Sequence, residues 1–359
     1  MRRNILLCLS LIFLCRAATA QVSGDVFKFD RTVYDFGQVL ISDGPVSCSF
    51  TATNVSGKDA VIQSVTTSCG CTDVKWDRNA VAPGKSVSIK VTYSNDEGPY
   101  PFDKTLTVSV AGSPKPVLLH LRGISAEEIK PDSEVFVYKH CSVFGLSAES
   151  FKAPNLEQGS SKGDQTTCVN FSSSPIMVSF TDLTPGLSLE VKPNPIPAKS
   201  HATLYYTISS LPQKWGRNKY CATVRIAGEK SSSPIEFVAF TAENFSSLSK
   251  QEKAQGSRPV FRQSTFSFGH KKQGEKFTAS FTCENAGKAP FAVHKVDLDY
   301  KGARVTAPLP QTAPGSSSSL SIEVDTKNLP KGEALVMATL TTNSPLRPIV
   351  TLFIAGWID

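Results

Sequence analysis

Val87-Ser88-Ile89-Lys90-Val91-Thr92-Tyr93 alternates apolar and polar side chains over seven residues. Successive side chains of a strand point to opposite faces, so this pattern buries one face and wets the other. The same period recurs in Leu106-Thr107-Val108-Ser109-Val110 and in Leu320-Ser321-Ile322-Glu323-Val324. Strands with one apolar face predict antiparallel sheets packed over a shared core. No long amphipathic helix competes with that reading.

The turns around these strands repeat. Ala82-Pro83-Gly84-Lys85, Ile196-Pro197-Ala198-Lys199 and Ala313-Pro314-Gly315-Ser316 mark three copies, with prolines 114 and 117 residues apart. Phe50-Thr51-Ala52-Thr53-Asn54 matches Phe281-Thr282-Cys283-Glu284-Asn285 and, more loosely, Thr167-Cys168-Val169-Asn170. Closing strands are expected after Pro116, Pro234 and Pro348. About seven short strands in about 100 residues suit an immunoglobulin-like sandwich. The fold predicted is therefore all-β, as three tandem immunoglobulin-like β-sandwich domains. Their expected bounds are 21–126, a divergent 127–243 and 258–359, with 244–257 as a linker forming either an extended spacer or one helical turn. The copies are expected to form a string, and Val135 to Lys152 fits the repeat poorly.

Arg2 and Arg3 precede an apolar run from Ile5 to Leu14, and Ala18-Thr19-Ala20 suits signal-peptide cleavage, so residues 1–20 read as a signal peptide. The expected location is the periplasm, with the cell surface or a lipid anchor at Cys15 as alternatives. Leu14 stands where a lipidation motif requires a small residue. The apolar run is too short to span a bilayer, and no membrane span is expected downstream. Removing Arg2, Arg3 and Arg16 reduces the formal charge from +7 to +4. The remaining basic residues are dispersed, which argues against a nucleic-acid groove.

Tyr34-Asp35-Phe36-Gly37, Phe50 to Asn54, Ser68-Cys69-Gly70-Cys71-Thr72, Ala82 to Lys85 and Phe102-Asp103-Lys104-Thr105-Leu106 follow one another in the first copy. This succession resembles a bacterial envelope family of immunoglobulin-like domains of unknown function. That family is similar to the major sperm protein and Hydin-type modules, which mostly mediate interactions. The resemblance implies the fold, and the family's own activity is unsettled. The third copy lacks the cysteine pair, having Leu298-Asp299-Tyr300 in that region.

Nine cysteines less Cys8 and Cys15 leave seven, an odd number, so at least one thiol stays outside intramolecular bridges. Strand parity turns Cys48, Cys168 and Cys283 toward a core as small hydrophobes. Cys221 is out of phase with Tyr220, Val224 and Ile226, and a Cys141–Cys221 bridge is the expected use of those two sulfurs. Cys69 and Cys71 flank Gly70, which permits positive φ at a turn. Three uses remain open for the pair: a conformational staple, a readily reduced disulfide, or a two-thiolate site for a soft metal such as copper(I). Zinc is disfavoured, since it normally takes four ligands.

Gly159-Ser160-Ser161-Lys162-Gly163 satisfies the hydrolase pattern G-x-S-x-G but reads as a polar loop, without the strand–turn–helix setting that chemistry needs. His120, His140, His201, His270 and His294 share no recurring acidic or cysteine partner. Asn54, Asn170 and Asn244 head N-x-S triplets attributed to chance. Trp76 is a candidate recognition patch or a core residue. The expected function is that of an exported, non-enzymatic envelope protein that binds or spaces envelope partners. Thiol redox or copper handling through Cys69 and Cys71 is the alternative.

Overall fold

A computed structural model describes residues 26–113 and 115–359, and the segment 1–20 expected to be a signal peptide lies outside the described residues, with Cys8 and Cys15. Two compact units are present, one up to Lys130 and the other Pro131–Asp359.

The first unit contains β1 (Phe27–Phe29), β2 (Val33–Leu40), β3 (Val46–Asn54), β4 (Ile62–Thr67), β5 (Thr72–Trp76), β6 (Ser86–Tyr93), β7 (Pro101–Val110) and β8 (Val117–Ala126). They form two four-stranded sheets in the orders β1-β3-β6-β5 and β2-β8-β7-β4. The alternating runs read from the sequence lie on β6 and β7, and Phe50, Ile89, Leu106 and Leu119 are fully buried between the sheets. Each such side chain contributes about 1.5–3 kcal/mol by leaving water. All pairings are antiparallel except β2 with β8, whose register shifts between Asp35 and Gln38. Gly37 lies at that shift with φ +65°, and its N–H donates to Asp35 Oδ1 at 2.8 Å. The Tyr-Asp-Phe-Gly sequence is thus a bulge device.

The second unit begins with a helical turn, α1 (Asp132–Val135), followed by β9 (Tyr138–His140), β10 (Phe144–Leu146), β11 (Ser150–Lys152), β12 (Leu156–Glu157), β13 (Ser161–Asn170) and β14 (Val178–Thr181). Next come β15 (Leu187–Lys192), β16 (His201–Ser209), β17 (Gly216–Ile226), β18 (Glu229–Lys230) and β19 (Ile235–Ala242). The sheets run β15-β16-β13-β10-β9 and β11-β19-β17-β14. The segment that fits the repeat poorly becomes the β9–β10 hairpin and β11, which with the following β12 makes a broken strand parallel to β19.

After α2 (Lys250–Ala254), the third sandwich contains β20 (Pro259–Phe261), β21 (Thr265–Lys271), β22 (Lys276–Asn285), β23 (Val293–Leu298), β24 (Ala303–Ala307), β25 (Ser317–Asp325), β26 (Gly332–Thr342) and β27 (Ile349–Ile358). Its sheet orders, β20-β22-β25-β24 and β21-β27-β26-β23, repeat those of the first unit strand for strand. Three separate apolar cores result.

Of the two forms expected for the linker, the structure has the helical turn. Ser249 Oγ accepts the Glu252 N–H at 3.2 Å, and the Glu252 carboxylate accepts the Ser249 N–H at 2.7 Å, closing a capping box. A simple string does not describe the second unit, because its two sandwiches share a joint. The Trp215 ring stacks on His294 at 4.1 Å, His294 Nε2 lies 2.7 Å from Glu243, and the Arg217 N–H donates to Asp297 at 2.8 Å.

One polar device recurs in all three sandwiches. Asn54, Asn170 and Asn285 end the corresponding strands and are almost wholly buried. Each donates from Nδ2 to the carbonyl four residues on, namely Lys58, Ser174 and Ala289. Each also reaches a carbonyl of the returning chain, at Val81, Ile196 and Thr312. The N-x-S triplets at Asn54 and Asn170 therefore belong to buried turn-forming asparagines.

Candidate functional site

The Ser68-to-Thr72 turn joins β4, of one sheet, to β5, of the other. Backbone pairing fixes its ends: the Ser68 N–H donates to the Thr105 carbonyl and the Ser94 N–H to that of Cys71, both at 2.9 Å. Thr67 Oγ1 donates to the Cys69 carbonyl at 2.8 Å. Cys69 and Cys71 are joined in a disulfide, with their Cα atoms 5.3 Å apart. While it is closed, neither sulfur is a thiolate, so soft-metal binding would require prior reduction.

Gly70 does not use positive φ, contrary to the expectation from its place in a turn, and a Cβ there would meet nothing within 4 Å. The space beside Gly70 is open. Both half-cystines are partly exposed, and Cys71 packs against the core of the unit.

Two polar groups lie beside the sulfurs, and a third pairs with one of them. Thr72 Oγ1 lies 3.6 Å from Cys69 Sγ and 3.8 Å from Cys71 Sγ. A disulfide has no proton to give, so the hydroxyl donates. A carboxylate oxygen of Glu97 lies within 4.8 Å of both sulfurs. Lys104 makes an ion pair with Glu97, its side chain is only 18% exposed, and its ammonium lies 5.7 Å from the centre of the Tyr93 ring. The sequence reading missed Glu97 and Lys104. Glu97 lies in a turn and Lys104 on β7, and only the fold brings them to the β4–β5 corner.

The corresponding corner differs in the other two sandwiches. The amide that meets the Cys71 carbonyl in the first is Ser94, and its counterparts are Ser209 to the Gly186 carbonyl and Asp325 to the Gly302 carbonyl. Gly186 and Gly302 thus stand where Cys71 does, and Thr184 and Tyr300 where Cys69 does. Tyr300 fills its corner by donating its hydroxyl to the Asp325 carbonyl at 2.7 Å.

The expected Cys141–Cys221 bridge is absent, and both thiols are free. Cys141 Sγ lies 3.7 Å from the Glu229 carbonyl, and Glu229 pairs with Ile226 on β17. Cys221 lies five residues earlier on that strand, about 16 Å away at the strand's rise, whereas a disulfide needs Cα atoms within about 7 Å. Cys48, Cys168 and Cys283 are buried and free. Burial pushes the first two thiols up to about 12 and Cys283 up to about 11.

Trp76 is half-buried at the end of β5. Its Nε1–H donates to the Ile62 carbonyl at 3.3 Å, and Arg78 covers the ring at 4.9 Å. Part of this ring belongs to the core edge. Ser161 and Gly163 of the G-x-S-x-G match lie on β13, away from any helix, and Ser161 Oγ pairs with Ser209 Oγ at 2.7 Å. His120, His201 and His270 each meet a carboxylate, respectively Asp103, Asp132 and Asp359, and His294 meets Glu243 at the joint of the second unit.

The family model described as a protein of unknown function (DUF1573) matches residues 27–125 and 260–358, together more than half of the chain. The chain belongs to the DUF1573 family. Those two DUF1573 modules are the sandwiches with identical sheet order, and the divergent middle sandwich lies between the matches. No curated protein matches the chain. A protein of unknown function from Porphyromonas gingivalis W83 is similar over 60% of this chain and 99% of its own, at 17% identity and TM-score 0.49. The seventh ASH/PapD-like domain of human CEP192 matches over 32% of this chain and 96% of its own, at 14% identity and TM-score 0.25. No helix among the described residues is long and apolar enough to cross a membrane.

Proposed function

We propose that this protein is an exported, non-enzymatic component of the bacterial cell envelope that binds or spaces other envelope proteins through its immunoglobulin-like modules. The observation carrying this reading is the pair of outer strands, β4 and β5, that end the two sheets of the first unit beside the cysteine turn. The Ser68 N–H faces β7, so by alternation the Val65 and Thr67 amides point away from the sheet. Outward amides on an edge strand are a template for an added strand. The threefold repeat of one sandwich module supports the same role. An extended segment of an envelope protein is the partner this edge suits, and the periplasm is the compartment that fits a signal peptide.

A photo-crosslinking residue placed at Gln63, exposed on β4, should capture a protein partner in intact cells. The same residue at exposed Leu335, on the inner strand β26, should not. Equal capture at both positions, or none at Gln63, would remove the edge-binding reading.

A further inference from the structure

We propose that the Cys69–Cys71 disulfide is a thiol–disulfide exchange centre for protein dithiols, with Glu97 carrying the proton and Lys104 stabilising the thiolate that forms. This leaves the binding role of the interaction reading in place, does not depend on it, and replaces its non-enzymatic character at this one corner.

Access, charge and proton transfer are all provided at this corner. The disulfide closes around a single residue whose missing Cβ leaves the approach open, and Cys69 lies between exposed Ser68 and exposed Gly70. Cys71 is held against the core. A structural staple has no use for a carboxylate beside its sulfurs that is paired to a shielded ammonium, and the other two corners dispense with cysteines altogether. Lys104 offsets the charge of the Glu97 carboxylate, which alone would oppose a thiolate at this corner.

In the exchange, a substrate thiolate attacks Cys69 Sγ, forming a mixed disulfide and breaking the Cys69–Cys71 bond. Cys71 Sγ leaves as a thiolate, receiving the Thr72 hydroxyl hydrogen bond and the Lys104 field. The second substrate thiol gives its proton to Glu97, and its sulfur attacks the substrate half of the mixed disulfide. Cys69 leaves as a thiolate in turn. Glu97 delivers its proton to one of the two cysteine sulfurs, and solvent supplies the other in exchange for the proton the first substrate thiol lost. Two electrons and, in net terms, two protons pass from the dithiol to the cysteine pair. The substrate becomes a disulfide. The reverse direction uses the same groups.

The test uses the full chain carrying Cys141→Ser and Cys221→Ser, which leaves 69 and 71 as the only accessible cysteines among the described residues. Dithiothreitol is the probe, with alkylation and mass mapping of the 69–71 peptide. The pair should reduce reversibly while the β circular dichroism persists. Glu97→Gln should slow exchange at least tenfold by removing the group that takes the substrate proton. Lys104→Met should shift the equilibrium about tenfold toward the disulfide, about 30 mV for a two-electron couple, and Lys104→Arg should restore it. A disulfide that stays closed to millimolar dithiothreitol in the folded chain would overturn the proposal. So would variants at 97 and 104 that match the parent in both rate and equilibrium. Partner crosslinking through Gln63 is read separately, so either idea can fail while the other stands.

Discussion

His140 shows what burial does to a titratable group in this chain. Only 4% exposed, it shares a 2.9 Å hydrogen bond with Ser231 Oγ. Burial holds its pKa below the usual imidazole value, against the opposing pull of the Ser233 backbone and the Glu149 charge. Below about pH 6.5 the unfolded chain takes a proton that the folded chain refuses, so stability contributed by this site is full above that pH and falls as acid is added. His140→Gln should reduce the loss of urea midpoint between about pH 8 and pH 5. An unchanged difference would place the acid sensitivity elsewhere. Much at this scale was legible in the sequence: parity turned Cys48, Cys168 and Cys283 inward, and they are buried. The Cys141–Cys221 pairing was not, because parity reports which face a residue takes and says nothing of its position along the partner strand. Glu97 and Lys104 were equally hidden, since a corner joins residues by topology and not by spacing.

At the level of strands and turns, the asparagine device explains why three copies end their matching strands on the same residue. Asn285 donates to the Ala289 and Thr312 carbonyls at 2.9 Å each and accepts the Gly287 N–H at 3.0 Å. Asn285→Ala should cost about 3 kcal/mol, because buried backbone groups lose their partners, whereas exposed Asn244→Ala should be nearly neutral. Chemical denaturation read on the third sandwich checks both. The period-two pattern placed the long strands directly, and the Pro-Gly turns placed the repeat. The helical turn at Lys250–Ala254 was equally written in the Ser249 and Glu252 pair, whose spacing is that of a capping box. The β9–β10 hairpin was not, because three-residue strands are too short to show a period.

On the scale of the molecule, the second unit is two sandwiches made to act together. Gly216 has φ +65°, and a Cβ on it would lie 2.1 Å from Asp297 Oδ2, so the joint depends on a bare backbone at that position. Gly216→Ala should weaken the joint by about 1–3 kcal/mol. In scanning calorimetry of the full chain, heat uptake by the second and third sandwiches should then separate, with the first sandwich unchanged. A single unaltered transition would mean the contact transmits nothing.

The three differently filled corners have a practical consequence for anyone studying the protein in cells. Duplication has left one chain with a sulfur-bearing copy and two sulfur-free ones at the same structural address. Grafting the Tyr300 and Gly302 solution onto positions 69 and 71 would erase the chemistry while keeping a loop the fold already tolerates. A reference strain of that kind separates what the architecture does from what its two sulfur atoms add.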